Sequence, residues 1–210
     1  IAIFLVYQPK GISKSTIWTC QYLASKGYAP LVVSNAPIDP DNKKEISAVS
    51  WKIIERPNFG YDFGGYRDGI WLLQRLNNHP DHLLILNDSF WFPLYEDDTL
   101  LENMEAAEEA FVGALELDPI RDSQNVPLKK RPFFGSFFWH FKKSAIEHPS
   151  FINFWQHYKI TSNKYKTIRR GERHFSHHMK DSGISSRAIL SRKIFDEKID
   201  GMSASDLILV

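Results

Sequence analysis

The stretch Arg56-Pro57-Asn58-Phe59-Gly60-Tyr61-Asp62-Phe63-Gly64-Gly65-Tyr66-Arg67-Asp68-Gly69 decides the fold, because it passes from a glycine-dense loop into a helix. Apolar residues recur at the three-to-four spacing of one helix face, at Phe63, Tyr66, Ile70 and Leu73. Asp62 stands at the position expected of the N-cap. The glycines at 60, 64 and 65 leave the backbone bare, so a ligand can approach the N–H groups of the first turn.

A second run, Leu84-Ile85-Leu86-Asn87-Asp88-Ser89, points at the same place. Residues 82–86 are typical of a buried strand, and three small polar residues end it abruptly. Ligands of open α/β sheets bind beyond the carboxyl ends of the strands. The two runs therefore predict one crevice, and our hypothesis is that this crevice binds the diphosphate of a nucleotide-sugar.

Strand and helix signals alternate along the first half of the chain. Apolar, β-rich runs predict strands over residues 1–7, 31–34, 51–55 and 82–86. A helix is expected to begin at Ser13 or Ser15 and to stop at Gly27, and residues 37–42 are rich in turn formers. This order favours an α/β fold with a parallel sheet.

The second half predicts a less regular succession of elements. We expect an acidic helix over residues 97–110, strands over 111–117, 135–141 and 185–190, a helix from 142, an aromatic helix over 151–158, and a helix that begins near 169 and ends at Gly183.

Composition bounds the class of protein. The 210 residues suffice for one large α/β domain or for two small ones. The formal net charge of +1 provides no broad basic surface, which disfavours a nucleic-acid partner. The local cluster Lys129-Lys130-Arg131 is either a solvated face or a contact with an anionic lipid head group or phosphate.

The chain carries a single cysteine, Cys20, which fits a reducing compartment. No run approaches the roughly 18 apolar residues of a membrane span, and no signal peptide is visible. Because both ends are apolar runs, we expect the chain to be part of a longer protein.

Two acids are candidates for chemistry. Asp88, between Asn87 and Ser89, is either a turn residue or a ligand of Mg²⁺ or Mn²⁺ together with phosphate oxygens. Glu172 is either a helix-start acid favoured by the helix dipole or a general base for an acceptor hydroxyl. Arg169 and Arg170, just before it, are phosphate ligands or surface charges.

Other reaction classes have little support. His174, His177 and His178 share a helix face, but no HExxH motif, cysteine or paired carboxylate accompanies them, which disfavours zinc and leaves a contact with diphosphate or metal open. The sequence contains no G-x-S-x-G, no Walker A motif and no G-x-G-x-x-G after the first strand.

Residues 56–64 and the run Leu86-Asn87-Asp88-Ser89-Phe90-Trp91-Phe92-Pro93 resemble the rhamnan synthesis F family, glycosyltransferase-like domains of bacterial rhamnose-polysaccharide assembly. The wider pattern, over about residues 1–190, is similar to inverting GT-A glycosyltransferases. The resemblance implies a GT-A-like three-layer α/β/α fold with a mostly parallel central sheet. It also implies one domain, with a nucleotide-binding part over about 1–95 and an acceptor-side part over about 96–190.

The resemblance transfers roles to particular positions. It implies nucleotide contacts by Asn58, Gly60, Asp62, Arg67, Asn87, Asp88 and Ser89. Asn87-Asp88-Ser89 stands in the place of Asp-x-Asp, which makes Asp88 the candidate ligand of a Mg²⁺ or Mn²⁺ ion. Gly171-Glu172 stands in the place of the segment that supplies the base. The sequence departs from the family pattern where Asn87 and Ser89 replace acids and where Arg173 follows Glu172.

The implied activity is transfer of a deoxyhexose from a donor such as dTDP-β-L-rhamnose, with inversion, to a growing cell-surface polysaccharide. The expected partners are the nucleotide-sugar, a glycan or lipid-linked glycan acceptor and other domains of a longer chain. The expected location is the cytoplasm, with peripheral contact at the inner membrane. The alternative is a catalytically inactive glycan-binding or scaffolding domain that keeps the fold, motivated by the missing acids.

Overall fold

One mixed sheet of eight strands organises residues 1–118 and 131–200, which are the residues that our computed structural model describes. The strands are β1 (Ala2–Val6), β2 (Pro30–Ser34), β3 (Lys52–Glu55), β4 (His82–Asn87), β5 (Phe111–Leu117), β6 (Phe133–Phe134), β7 (Phe138–Lys142) and β8 (Ser186–Ser191). Their order across the sheet is β3-β2-β1-β4-β7-β5-β6, and β8 pairs with β5.

The first four strands form a parallel half, as the alternation of strands and helices predicts. The sheet then becomes mixed, because β7 runs antiparallel to both β4 and β5, and β6 antiparallel to β5. Parallel pairing returns between β5 and β8. The carboxyl ends of β1 and β4 therefore lie side by side, where the two sequence runs predict the crevice.

The helices are α1 (Lys14–Ser25), α2 (Pro40–Ala48), α3 (Tyr61–Arg75), α4 (Leu100–Ala106), α5 (Lys143–Ile146), α6 (Pro149–His157), α7 (Lys164–Thr167), a π-helix (Ile168–Arg173), α8 (His174–Asp181) and α9 (Arg192–Asp200). No helix in residues 1–118 and 131–200 is long and apolar enough to cross a membrane.

Two hydrophobic cores cover the two faces of the sheet. Ile3 and Leu5 of β1 pack in one core with α3, α6 and α8, whereas Ala2, Phe4 and Val6 pack in the other with α1 and α4. The alternation follows from the period of two in a strand, and burial of both faces explains the continuous apolar runs in the sequence. The predicted α/β class with a central sheet between helical layers is confirmed.

The start of α3 differs from the prediction. The N-cap position is occupied by Gly60, not Asp62, and both Gly60 and Tyr61 have left-handed φ angles, of 84° and 52°. No side chain caps the helix. The loop is held instead by Arg56, whose Nη2 donates to the carbonyl oxygen of Phe59 at 2.6 Å and whose Nε donates to Asp68 at 2.7 Å. Asp62 therefore lies in the first turn rather than at the cap.

Several predicted elements are shorter or additional. Helix α2 was not expected within the turn-rich segment, because Ile46 alone among its residues is buried and leaves no apolar period. The N-cap of α2 is Asp39, which accepts from the backbone N–H of Asn42, and Pro40 follows it. Helix α9 was likewise not predicted, and α4 covers only the middle of the predicted segment 97–110.

The predicted strand over 135–141 begins three residues later, at Phe138. Ser136 leaves the sheet because its backbone N–H donates to Glu172 and not to a neighbouring strand. The break creates a short segment that faces the predicted crevice.

The basic cluster at 129–131 is only partly described. Lys129 and Lys130 lie outside the described residues. The Arg131 guanidinium makes two hydrogen bonds to the carboxylate of Asp181, at 2.9 and 2.7 Å.

Candidate functional site

A cavity of about 260 Å³ lies where the crevice is predicted, between the first turn of α3, the end of β4, residues 136–137 and the π-helix. Its wall carries two carboxylates, Asp62 and Glu172, and we call it the acidic cavity. Asn87 and Ser89 line it as well, and Lys164 contributes a cation. The first and second halves of the chain thus each supply one acid to the same space.

Asp62 is held by the strand end beside it. The side-chain Nδ2 of Asn87 donates to Asp62 Oδ2 at 3.2 Å. Burial raises the pKa of Asp62 to about 6, and the charges of Asp88 and Glu172 add to this rise, whereas Lys164 and the hydrogen bond from Asn87 oppose it. Perturbed acids of this kind are concentrated at functional sites.

The raised pKa of Asp62 predicts a cost in stability that depends on pH. The folded chain holds the Asp62 proton more tightly than the unfolded chain, whose value is near 3.8, so the free energy of unfolding falls as the pH rises from about 4 to about 6. Asp62→Asn removes this cost and keeps an acceptor for Asn87. We expect the variant to be more stable than wild type by about 1–3 kcal/mol above pH 7.

Urea denaturation at several pH values measures this difference. The two proteins should converge below pH 4, where Asp62 is protonated in both states. Asp97→Asn is the control, because Asp97 is an exposed acid outside the cavity. A stability difference that is the same at pH 4 and pH 8 contradicts the assignment.

Glu172 is fixed through one of its two oxygens. The backbone N–H and the hydroxyl of Ser136 donate to Glu172 Oε1 at 2.8 and 2.9 Å. The carbonyl oxygen of Ser136 in turn accepts from the buried Tyr66 hydroxyl at 2.7 Å. Within residues 1–118 and 131–200, no donor faces the other oxygen, Oε2, so this oxygen is available to a ligand in the cavity.

The helix-start interpretation of Glu172 is wrong. Helix α7, the π-helix and α8 follow one another without a break from Lys164 to Asp181, so Glu172 is in the middle of a helical segment and not in a first turn. The dipole of a helix N-terminus therefore does not explain this acid. The wide π turn that carries it is a feature that often occurs at functional sites.

Gly171 permits the close approach of the π-helix to α3. A Cβ atom at this position would lie 2.7–2.8 Å from three ring atoms of Phe63. The absence of a side chain at Gly171 thus lets the next residue, Glu172, reach the cavity that α3 borders. Glycine is required here for space rather than for an unusual φ angle.

Asp88 is separated from its two neighbours. Its Oδ2 accepts from the backbone N–H of Tyr7 and from Gln8 Nε2, each at 3.0 Å. It lines a second cavity, of about 700 Å³, between the end of β1, the start of α1 and residues 90–94. We call this the aromatic cavity, because Trp18, Phe90 and Trp91 line it. The predicted trio therefore divides between two adjacent cavities.

The other predicted nucleotide contacts lie outside the lining of the acidic cavity. Asn58 is exposed, and its Oδ1 accepts from Asn35 Nδ2 at 3.0 Å. The Arg67 guanidinium stacks on the ring of Trp71 at 4.3 Å. Gly60 is buried at the start of α3. Their assignment as nucleotide contacts stays a prediction.

Sequence reasoning missed several residues that shape the site. Ser136 and Tyr66 orient Glu172, and Lys164 lies close to Asp62. Gln8 holds the segment after β4 through Asp88, and Arg56 holds the loop before α3. Gly135-Ser136 interrupts an aromatic run in the sequence, which is the one signal that marks Ser136. Gln8, Tyr66 and Lys164 act on residues 70 or more positions away, and Arg56 belongs to the glycine-dense stretch but was not assigned a role there.

The described residues, 1–118 and 131–200, contain no group of three or more His, Cys, Asp or Glu that could hold a metal ion. His178 Nε2 faces the carbonyl oxygen of Ser150 at 3.1 Å, and His177 Nε2 faces that of Pro132 at 3.1 Å. The histidines thus form no zinc site in this part of the chain. The role of Asp88 as a metal ligand stays a prediction.

Comparison with known families identifies the chain. The profile of the family described as rhamnan synthesis protein F matches residues 31–206. This chain belongs to the rhamnan synthesis protein F family. The expected resemblance is thereby confirmed, and membership of the family supports a glycosyltransferase-like function.

A curated relative of this rhamnan synthesis F chain is the uncharacterized protein y4gN of Sinorhizobium fredii (strain NBRC 101917 / NGR234). It is 33% identical over 172 residues, which are 82% of the chain. The chain spans 43% of the length of that relative.

Solved structures match at lower similarity. They include 4-diphosphocytidyl-2C-methyl-D-erythritol synthase (TM-score 0.49, 11% identity, 88% of this chain and 86% of that chain). Mouse xyloside xylosyltransferase 1 in its apo form matches with TM-score 0.42 and 10% identity, over 90% of this chain and 84% of that one. Core-mannan synthase A of Aspergillus fumigatus in its Mn/GDP form matches with TM-score 0.39 and 10% identity, over 74% and 63%.

Proposed function

We propose that this rhamnan synthesis F chain is an inverting glycosyltransferase. It moves a deoxyhexose such as rhamnose from a nucleotide-diphosphate donor to a glycan or lipid-linked glycan acceptor of a growing cell-surface polysaccharide. The nucleotide part of the donor occupies the half of the domain formed by about residues 1–95, and the acceptor approaches from about residues 96–190. The reaction takes place at the cytoplasmic side of the membrane.

The observation that carries the proposal is the setting of Glu172. One oxygen accepts from two donors of Ser136, and the other accepts no hydrogen bond from residues 1–118 and 131–200. The Glu172 side chain lines a cavity at the carboxyl ends of the strands. A fixed carboxylate with one open oxygen suits a general base, because its orientation is set before the substrate binds. Membership of the rhamnan synthesis protein F family supports the choice of a deoxyhexose such as rhamnose as the transferred sugar.

The transfer is a single displacement. The acceptor hydroxyl gives its proton to Glu172 Oε2 as its oxygen attacks the anomeric carbon. The bond between that carbon and the donor diphosphate breaks, its electron pair leaves with the diphosphate, and the configuration inverts. Lys164, on the cavity wall, offers positive charge to the departing diphosphate. Asp62 faces the sugar hydroxyls from the first turn of α3.

The scheme assigns no step to a divalent cation. Residues 1–118 and 131–200 contain no group of three or more His, Cys, Asp or Glu that could hold a metal ion by itself. Mg²⁺ commonly binds through one or two carboxylates and the phosphates of the substrate. The Asp88→Asn variant below tests for a donor-bound cation at Asp88.

Incubation of the chain with dTDP- and UDP-sugars, with and without Mn²⁺, tests the proposal. We expect nucleotide binding by calorimetry and slow hydrolysis of the deoxyhexose donor in the absence of acceptor. Absence of both binding and hydrolysis would contradict it and favour the inactive glycan-binding or scaffolding domain.

Asp88→Asn tests the contribution of Asp88 to donor binding. Asparagine keeps an oxygen acceptor for the N–H of Tyr7 and removes the charge, so the loop should be retained. We expect the Kd of the nucleotide-sugar in the presence of Mn²⁺ to rise about tenfold. Asp97→Asn again serves as the control. An unchanged Kd means that Asp88 only ties the loop after β1 to the end of β4.

A further inference from the structure

A third cavity, of about 700 Å³, lies between α6 on one side and the π-helix and α8 on the other. We call it the basic cavity. Its charged lining consists of Lys159, Arg169 and Arg170, and no Asp or Glu lines it. The remaining lining is Asn153, Phe154, His157, Tyr158, His174 and His178.

The three cations have no acidic partner in residues 1–118 and 131–200. Neither Lys159, Arg169 nor Arg170 forms an ion pair or a hydrogen bond with a described residue, although all three are exposed. Exposed cations are ordinarily spread among acids, and the formal net charge of the whole chain is only +1. Three unpaired cations around one concave surface concentrate positive potential there.

The floor of the basic cavity is a stack of rings. Phe154 and Tyr158 are buried and stack with ring centroids 5.4 Å apart. His174 also stacks with Phe154, with ring centroids 5.9 Å apart. A ligand that fits this cavity therefore combines an anionic group with a ring or hydrocarbon portion that covers an apolar floor.

Two histidines offer further polar atoms at the rim. His157 Nδ1 donates to the carbonyl oxygen of Asn153 at 2.9 Å, and His178 Nε2 donates to that of Ser150 at 3.1 Å. Since a carbonyl oxygen only accepts, each ring has its proton on the bonded nitrogen, and its second nitrogen carries a lone pair that accepts from a hydroxyl or N–H of a ligand rather than from a phosphate oxygen.

The π-helix is the shared wall of the basic and acidic cavities. Ile168 and Glu172 line the acidic cavity, whereas Arg169 and Arg170 line the basic one. A ligand in the basic cavity thus contacts the same six-residue segment that presents Glu172.

We propose that the basic cavity binds a phosphate- or diphosphate-bearing ligand, with the phosphate on Lys159, Arg169 and Arg170 and the adjoining part over Phe154 and Tyr158. Guanidinium groups match phosphate oxygens in a bidentate geometry, and three cations balance the charge of a diphosphate. The ligand is either soluble or the head group of a lipid. The inference does not depend on the proposed transferase activity, because it uses none of the residues assigned to the reaction.

Calorimetry with inorganic pyrophosphate tests the site. We expect pyrophosphate to bind the wild-type chain and to bind Arg169→Gln/Arg170→Gln about tenfold or more weakly. The matched control is Lys44→Gln/Arg187→Gln, which removes the same charge from exposed positions outside the cavity and should bind as wild type. Thermal unfolding should be unchanged, because neither arginine contacts another described side chain through an ion pair or hydrogen bond.

Further variants separate this site from the donor site. Asp88→Asn and Glu172→Gln should both retain pyrophosphate binding. If the wild-type chain binds pyrophosphate at the basic cavity but shows no transfer activity, only the proposed function is contradicted. Equal pyrophosphate affinity in the two double variants, or no binding by wild type, overturns the proposal.

Flotation with vesicles distinguishes the two sources of phosphate. Binding to phosphatidylcholine vesicles that contain phosphatidic acid, lost in the double arginine variant and competed by pyrophosphate, identifies a lipid head group. Pyrophosphate binding without flotation identifies a soluble ligand. Both outcomes support the site.

Discussion

Glu172→Gln is expected to lower the rate of glycosyl transfer by about 10²–10⁴-fold and to leave donor binding unchanged, which is the typical effect of losing a positioned base. Glutamine keeps an Oε1 atom that can accept from the N–H and hydroxyl of Ser136, so the π-helix and the wall of the cavity should be retained. What is lost is the capacity to take a proton. Turnover of the nucleotide-sugar donor and its Kd, measured on the same preparation, separate the two effects.

Glu147→Gln is the matched control, because Glu147 is an exposed acid directly after α5 that does not line the acidic cavity. It should transfer sugar as wild type does. Wild-type turnover by Glu172→Gln would remove Glu172 as the base. Asp62, the other carboxylate of the acidic cavity, with a pKa raised to about 6 by burial, would then be the acid to test.

Phe63→Ala is expected to reduce the free energy of unfolding by about 3–5 kcal/mol, the usual cost of removing a buried aromatic ring. Phe63 is only 2% exposed. Its ring contacts Tyr66, Trp139, Trp155 and Tyr158, with centroids 5.5–5.9 Å away. It also packs against the bare backbone of Gly171. Removing it leaves a cavity between α3, β7, α6 and the π-helix.

The control for this substitution is Phe59→Ala, which deletes the same ring four positions earlier, where the side chain is 46% exposed. It should change stability by no more than about 0.5 kcal/mol. Urea denaturation followed by tryptophan fluorescence measures both variants. A loss below about 1 kcal/mol for Phe63→Ala would mean that the neighbouring rings close over the space.

The two predictions are linked by the position of Gly171. Phe63 packs against Gly171 of the π-helix, which carries Glu172. A Phe63→Ala chain that still folds should therefore position Glu172 less well and transfer sugar more slowly than wild type. The same variant would leave Asp62 in place in the first turn of α3. The contact between Phe63 and Gly171 thus links the packing of the hydrophobic core to the position of Glu172.

Local pattern was sufficient for the parallel half of the fold. Runs of β-branched and apolar residues predicted β1 to β4. In β1, β2 and β4 these runs reflect burial on both faces, whereas β3 lies at the edge of the sheet and its residues are half-buried or exposed. The spacing of Phe63, Tyr66, Ile70 and Leu73 predicted the buried face of α3, and all four are buried. Gly27 ended α1 as expected, with a φ angle of 86°. Helices with few buried residues, such as α2, were missed because they have little apolar period.

The site was predicted less completely. Asp62, Asn87, Ser89 and Glu172 were all named from the sequence, and the structure brings them to one cavity. Asp88 was placed with them, but its side chain lines the adjacent cavity and holds the loop after β1. The sequence pattern placed Asp88 at the end of a strand. The direction of its side chain is set by hydrogen bonds from Tyr7 and Gln8, which are about 80 positions earlier in the chain.

The sequence by itself determined the elements and their apolar faces, because periodicity and turn chemistry are local properties of the chain. Family resemblance also came from short motifs, whose residues are neighbours in the sequence. Only the tertiary structure decided that Asp62 and Glu172 share the acidic cavity and that Ser136 fixes one oxygen of Glu172. It also decided that Lys159, Arg169 and Arg170 line the basic cavity. These relations depend on how β7 and the π-helix pack beside β4 and α3, and packing joins residues that no local pattern connects.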